Sequence, residues 1–280
     1  MQWEGGEESS NVEDRRGMGG KAAVAGGGVS ILGIILYLVF GQGFNFQGGG
    51  QGLQGPPGAG GPVDNSPERV EQVRFVKVVL KYTEDVWNPE FKKHGKRYKE
   101  PRLEIFSNHT NSACGSADSA VGPFYCPGDD QVYIDLTFFD DMSARLNAPG
   151  EFARAYVISH EVGHHVQNLL GYSKRVGPKD NDGSVRLELQ ADYLAGVCLS
   201  FANRKHNFLE RGDMESALNA AFQIGDDTLQ KRARGRVMPE KFTHGRSAQR
   251  KKWFQEGFAK PDDWYQRMDY FFAVRSSQDL

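Results

Sequence analysis

The chain has 280 residues, a quarter of them charged, with 34 Lys and Arg against 36 Asp and Glu. A net charge of −2 provides no global field for gathering nucleic acid, and none is expected as a partner. The length suits one sizeable domain with accessory segments.

Residues 1–21 are polar and charged and read as a tail. Residues 22–40 (AAVAGGGVSILGIILYLVF) then carry no charge at all. As a helix they would span about 28 Å, close to the hydrocarbon thickness of a bilayer. Arg15, Arg16 and Lys21 precede this run, and the next basic residue is Arg69. That asymmetry predicts a transmembrane helix with residues 1–21 in the cytoplasm and the bulk of the chain outside. A cleaved signal peptide is the alternative, with Gly41-Gln42-Gly43 a weak cleavage site. Residues 41–64 read as a flexible linker, since ten glycines and three prolines fall between 41 and 62. No Gly-Lys-Ser or Gly-Lys-Thr follows them, so they are not a phosphate loop.

The folded domain is expected over residues 65–280. Ser66 and Pro67 start a helix predicted over 67–84, with Val70, Val73, Val76, Val79 and Leu80 on its apolar face. The cluster Lys92, Lys93, Lys96, Arg97 and Lys99 reads as a solvated loop. Residues 102–107 and 131–138 read as short strands. Either could pair with an extended peptide or lie in the core. Cys114 and Cys126 flank a loop dense in Gly, Ser and Pro; an oxidising compartment would join them as a disulfide. Cys198 sits in an apolar run and reads as a small buried hydrophobe.

Residues 151–170 form the next predicted helix, with Asn147 and Pro149 before it and Gly171 after it. Within it lies His160-Glu161-Val162-Gly163-His164, the H-E-x-x-H pattern of zinc sites that hydrolyse amides. Two residues four apart on a helix differ by about 40° around its axis, so both imidazoles aim at one point. Glu161 lies on the same side, placed to touch a water there rather than to be a ligand. A catalytic tetrahedral site takes a third protein ligand and leaves a fourth position open. The position six after His164 is Leu170, so a third histidine at that spacing is absent. A helix predicted over 185–202 is apolar around nearly its whole circumference and holds just two acids, Glu188 and Asp192, four apart on one face. Buried carboxylates need partners. Glu188 as third ligand and Asp192 as acceptor for a ligand histidine's other N–H would satisfy both. Helices are also expected over 213–230 and 247–259. His165 points away from the metal face.

These motifs carry a resemblance. H-E-x-x-H followed by Glu188-x-x-x-Asp192 resembles the gluzincin metallopeptidases. The wider pattern is similar to a bacterial family of neutral zinc metallopeptidases. It comprises residues 11–17 (NVEDRRG), 113–115 (ACG), 122–127 (GPFYCP), 132–136 (VYIDL), 160–167, 187–196, 243–245 (THG) and 249–250 (QR). The resemblance implies an α+β fold: a mainly helical zincin-like metallopeptidase domain with a small β-sheet, preceded by one transmembrane helix. It further implies one Zn2+, a peptide or protein substrate, and a single-pass protein of the bacterial inner membrane with its peptidase domain on the extracytoplasmic side. Its metal ligands would be His160, His164 and Glu188, with Glu161 as general base. The spacing of His244 and Arg250 is similar to the T-H-P-x-x-x-x-R segment of membrane-embedded zinc proteases, where both side chains lie near the substrate carbonyl. This chain has Gly245 in place of that proline. His244 and Arg250 are therefore candidate oxyanion donors, or else a capping loop histidine and a solvated arginine. A membrane-tethered zinc-binding scaffold without turnover is the alternative to an active peptidase.

Overall fold

The computed structural model describes residues 1–17 and 63–280. The expected transmembrane helix at 22–40, and the linker apart from its last two residues, lie outside them. No helix among the described residues is long and apolar enough to cross a membrane.

Helix α1 (Pro67–Lys93) starts where expected, with the Ser66 side chain accepting from the Arg69 N–H. It runs past 84 and through Pro89, because buried apolar positions continue at Val86, Trp87 and Phe91. A four-stranded sheet packs beside it in the order β1-β2-β6-β5. Its strands are β1 (Val12–Asp14), β2 (Arg102–Phe106), β5 (Phe124–Cys126) and β6 (Gln131–Asp135). The first three in that order run parallel, with Leu103 opposite both Val12 and Val132; β5 is antiparallel to β6. β3 (His109–Ser112) and β4 (Gly115–Asp118) form a separate hairpin. The strand expected over 131–138 stops early. Asp135 accepts from the N–H and hydroxyl of Thr137 and turns the chain into helix α2 (Thr137–Ala144).

The helical layer follows. α3 (Glu151–Leu170) ends on Gly171 in the left-handed conformation. α4 (Asn181–His206) is longer than expected, since Asp180 caps it one turn earlier through the Gly183 N–H. The two touch at Gly163, where a Cβ would come 3.0 Å from the Ala191 carbonyl oxygen. The helix expected over 213–230 is two, α5 (Asp213–Gln223) and α6 (Asp226–Arg234). The break falls at Gly225, which lies so close to Ser247 that a Cβ would meet its nitrogen at 2.3 Å. α7 (Ser247–Ala259) crosses α4 in contact; of the short helices that follow, α8 (Trp264–Arg267) sets Trp264 against Trp87 and Phe91 of α1, and α9 (Tyr270–Ala273) packs on α4. The molecule is thus mainly helical with small sheets.

Residues 1–17 correct the expected division of the chain. They are part of the folded domain, not a tail apart from it. β1 completes the sheet on β2, and Ser9 and Asn11 reach the Glu84 carboxylate of α1. Trp3 is buried edge-on against Phe75 and donates to Glu151 at the start of α3, at 2.7 Å. Trp3→Ala is expected to cost about 3–5 kcal/mol, measurable by denaturant unfolding. An unchanged midpoint would mean that residues 1–17 are not docked. The pairing also sets a condition on the expected anchor. β1 and β2 must lie on one face of any bilayer, whereas a single crossing between residues 17 and 63 would separate them.

Candidate metal centre

The helices α3 and α4 bring His160, His164 and Glu188 together at the floor of a cleft of about 300 Å³. His160 Nε2 lies 3.3 Å from Glu188 Oε2, and His164 Nε2 lies 3.3 Å from Oε1. A tetrahedral ion with bonds of about 2.0–2.2 Å holds its ligands roughly 3.3–3.6 Å apart, so these spacings fit one. Glu188 Oε2 is buried and receives no hydrogen bond among the described residues. These three residues could hold a metal ion.

The rest of each ring is already committed. His160 Nδ1 bonds Asp192 Oδ1 at 2.8 Å. Gln167 spends its amide hydrogens on the Leu187 carbonyl and Gln190, so its oxygen accepts from His164 Nδ1 at 2.8 Å. Both imidazoles therefore present Nε2 lone pairs to the same point. Asp192 is fully buried and carries three further bonds: Tyr156 Oη donates at 2.6 Å, and Arg250 donates from Nε at 2.8 Å and from Nη2 at 3.0 Å. Tyr156 and Gln167 are contributions that sequence reasoning missed. They stand four before His160 and three after His164, on the same helix face.

The electrostatics favour a cation. Glu161, Glu188 and Asp192 are buried, with Arg250 as the buried cationic side chain that faces them. With neutral imidazoles, two negative charges remain uncompensated. Burial opposes a charge on His160, but Asp192 and Glu188 outweigh it and raise its pKa to about 9. Burial works likewise against ionised Glu188, yet the two histidines hold its pKa well down. Burial, offset by no specific bond, raises the pKa of Glu161. Glu161 lines the cleft.

The expected oxyanion donors are placed otherwise. Arg250 is fully buried on Asp192, with its Nη2 also 3.6 Å from Glu188 Oε2, and neither it nor His244 lines the cleft. His244 is 1% exposed, its Nδ1 3.0 Å from Asp226 Oδ1. Asp226 Oδ2 also gathers the N–H groups of Thr243, His244 and Gly245. Gly245 has φ +89°, which proline cannot adopt, so this loop departs from the T-H-P geometry.

The cleft's other wall is β3–β4 and β5, including Ser116, Ala117, Phe124 and Tyr125. Cys114 and Cys126 are joined in a disulfide that ties the hairpin to β5. His165 faces away from the metal group, bonding the Lys99 carbonyl at 2.6 Å and the Tyr125 hydroxyl at 3.0 Å, and so fixes β5 to α3. β2 and β6, the strands expected as possible substrate edges, are both flanked by neighbours in the sheet. The edge strand beside the cleft is β5.

The chain is similar to known sequences over most of its length. It is 44% identical to the "Uncharacterized protein YpfJ" of Escherichia coli K12, covering 94% of this chain and 96% of that protein. It is 43% identical to the "Uncharacterized protein Rv2575" of Mycobacterium tuberculosis, over 59% of this chain and 61% of that one. No solved structure matches. The family model described as "Putative neutral zinc metallopeptidase" matches residues 1–264, which include the cleft, both metal helices and β1. The chain belongs to that putative neutral zinc metallopeptidase family.

Proposed function

We propose that this chain is a zinc-dependent peptidase that hydrolyses peptide bonds in the cleft between α3 and β5. The observation that carries this reading is the pairing of a three-residue donor set with an uncommitted carboxylate, Glu161, on the same cleft floor. A purely structural site would close its fourth position and would have no use for a base. His160, His164 and Glu188 would hold the ion; imidazole and carboxylate donors suit zinc. When bound there, zinc acts as a Lewis acid and brings the pKa of a water toward neutrality. Glu161 takes the proton of the attacking water and delivers it to the leaving amine. Asp192 and Gln167 keep both imidazoles turned toward the ion. The free edge of β5 offers backbone groups to an extended peptide.

The test compares the full chain after chelation and after zinc is restored, by metal analysis and by cleavage of a peptide library. Zinc-restored cleavage supports the reading. One bound zinc with no cleavage of any peptide favours the scaffold instead.

The uncharged run at 22–40 supports attachment to a bacterial inner membrane. The Cys114–Cys126 pair favours the oxidising, extracytoplasmic face. Because β1 belongs to the domain sheet, residues 1–17 would share that face. Impermeant thiol labelling of Ser10→Cys and Gln278→Cys in intact spheroplasts is expected to modify both. Labelling of Gln278→Cys alone would restore the single crossing expected from the charge asymmetry.

A further inference from the structure

The surface that carries the end of α6, its following loop and the start of α7 is unlike the rest of this nearly neutral chain. Lys231, Arg232, Arg234 and Arg236 are exposed there, followed by Lys241, Arg246, Lys251 and Lys252. Within 231–252, Glu240 is the one acidic residue. None of these eight cations forms an ion pair with an acidic side chain among the described residues, although Lys252 bonds an oxygen of Leu280 and Arg232 bonds Gln223. In the basic cluster at 92–99, Lys93 and Lys99 are neutralised by Glu90 and Asp130, while Lys92, Lys96 and Arg97 form no ion pair among the described residues. Apolar side chains stand among the cations. Val237, between Arg236 and Met238, is 40% exposed, and Phe222 at the end of α5 is 42% exposed, next to Gln223, which accepts from Arg232. Val70 is a third exposed large hydrophobic residue of the described surface.

Val70 follows Arg69, which is linked to this surface through a series of contacts. Residues 17 and 63, which bound the segment outside the described residues, lie near one another: Arg16 Nη1 donates to the Asp64 carbonyl at 2.9 Å. From there Arg69 bonds Asp140 of α2 at 3.2 Å. The loop after α2 accepts from Asn219 of α5 through the Asn147 carbonyl at 2.6 Å. Asn219 accepts in turn from Gln223, the residue that touches Arg232. Contacts and the short stretch of chain from Asp140 to Asn147 thus link residues 16 and 64 to the basic surface.

We propose that this face, from Phe222 to the loop at 235–246, docks on the surface of an anionic phospholipid bilayer. Unpaired Lys and Arg gain from lipid phosphates near the headgroups, and exposed apolar side chains between them enter the interface. Single-stranded RNA could stack a base on Phe222, but it offers no apolar layer for the aliphatic Val237 to enter. Docking of this kind fixes the orientation of the domain on the membrane. It does not depend on turnover in the cleft.

The test uses the full chain with Val237→Cys carrying an environment-sensitive fluorophore. This label has no competitor, since Cys198 is buried and the other two cysteines are disulfide-bonded. The protein is reconstituted in phosphatidylcholine vesicles, with or without phosphatidylglycerol. The apolar run is present in both arms, so attachment through it cannot produce a difference. Emission is expected to rise about twofold or more only with phosphatidylglycerol, and to fall back in high salt. Combining Lys231→Glu, Arg234→Glu, Arg236→Glu and Lys241→Glu should weaken the response on the order of a hundredfold while leaving the unfolding midpoint unchanged. Equal emission with both lipids, or an unaffected response in that variant, would overturn the proposal. So would an equal response to a single-stranded oligonucleotide at the same phosphate concentration.

Discussion

Glu161→Gln is expected to retain zinc at one equivalent, to unfold at the same midpoint as the parent, and to lower kcat by about 10²–10⁴-fold. The separation of these readouts follows from the site. Among the described residues no hydrogen bond or ion pair commits the Glu161 carboxyl, so glutamine removes no structural partner. The amide has nearly the same size and fits the same cleft wall. What disappears is the ability to accept a proton. His160, His164 and Glu188 stay as they were, because their bonds run to Asp192, Gln167 and each other. Loss of zinc from the variant would show Glu161 to be a ligand. Unchanged kcat would show that the base lies elsewhere in the cleft. A parent without activity under any metal condition would leave the scaffold as the better reading.

The metal group was legible because helix geometry makes a short-range prediction. Residues four apart must share a face, and two acids on a helix that is otherwise apolar must have partners. His160 with His164, and Glu188 with Asp192, are both of this kind. Tyr156 and Gln167 obey the same rule and could have been read by extending the histidine face one turn each way. Arg250 was singled out by spacing alone, and spacing says nothing about depth. Its burial is set by the contact of α4 with α7, where Cβ atoms at Gly196 and Gly257 would come 2.1 and 2.0 Å from carbonyl oxygens of the facing helix. Those glycines looked unremarkable in a sequence with 34 of them.

The elements missed in the fold share one cause: their reasons lie far along the chain. β1 is three residues, Val-Glu-Asp, inside a charged segment, and nothing local predicts a strand there. Its partner is β2, some ninety positions later. The break between α5 and α6 depends on Ser247 pressing on Gly225. The early end of β6 had a local signal, Asp135 two before Thr137, overridden by the run of aromatic and β-branched residues. Long α-helices, with periodic patterns and caps, were located most closely: α3 and α7 begin and end at the expected residues.

Arg250→Met is expected to lower stability by about 3–5 kcal/mol, the usual cost of breaking a buried ion pair by removing one member. Arg250 and Asp192 are both fully buried, and their contact is two-pronged, so the variant leaves a carboxylate without its cationic partner. Zinc affinity should fall about 10- to 100-fold, since Asp192 would no longer be held where it orients His160. Arg250→Lys should recover only part of either loss, because a single ammonium cannot bond both carboxylate oxygens in the plane of a guanidinium. Asp192→Asn in the Arg250→Met background should cost less than the sum of the two single changes, as coupled buried partners do. An oxyanion donor would behave otherwise: kcat would fall while the unfolding midpoint and zinc affinity held. That outcome would require Arg250 to line the cleft, and it is fully buried and does not. Positive charge at this position would therefore act on the ligand set both through Asp192 and His160 and directly on Glu188, 3.6 Å from Nη2, and the ordering of the losses across Arg250→Met, Asp192→Asn and the double variant separates the two routes.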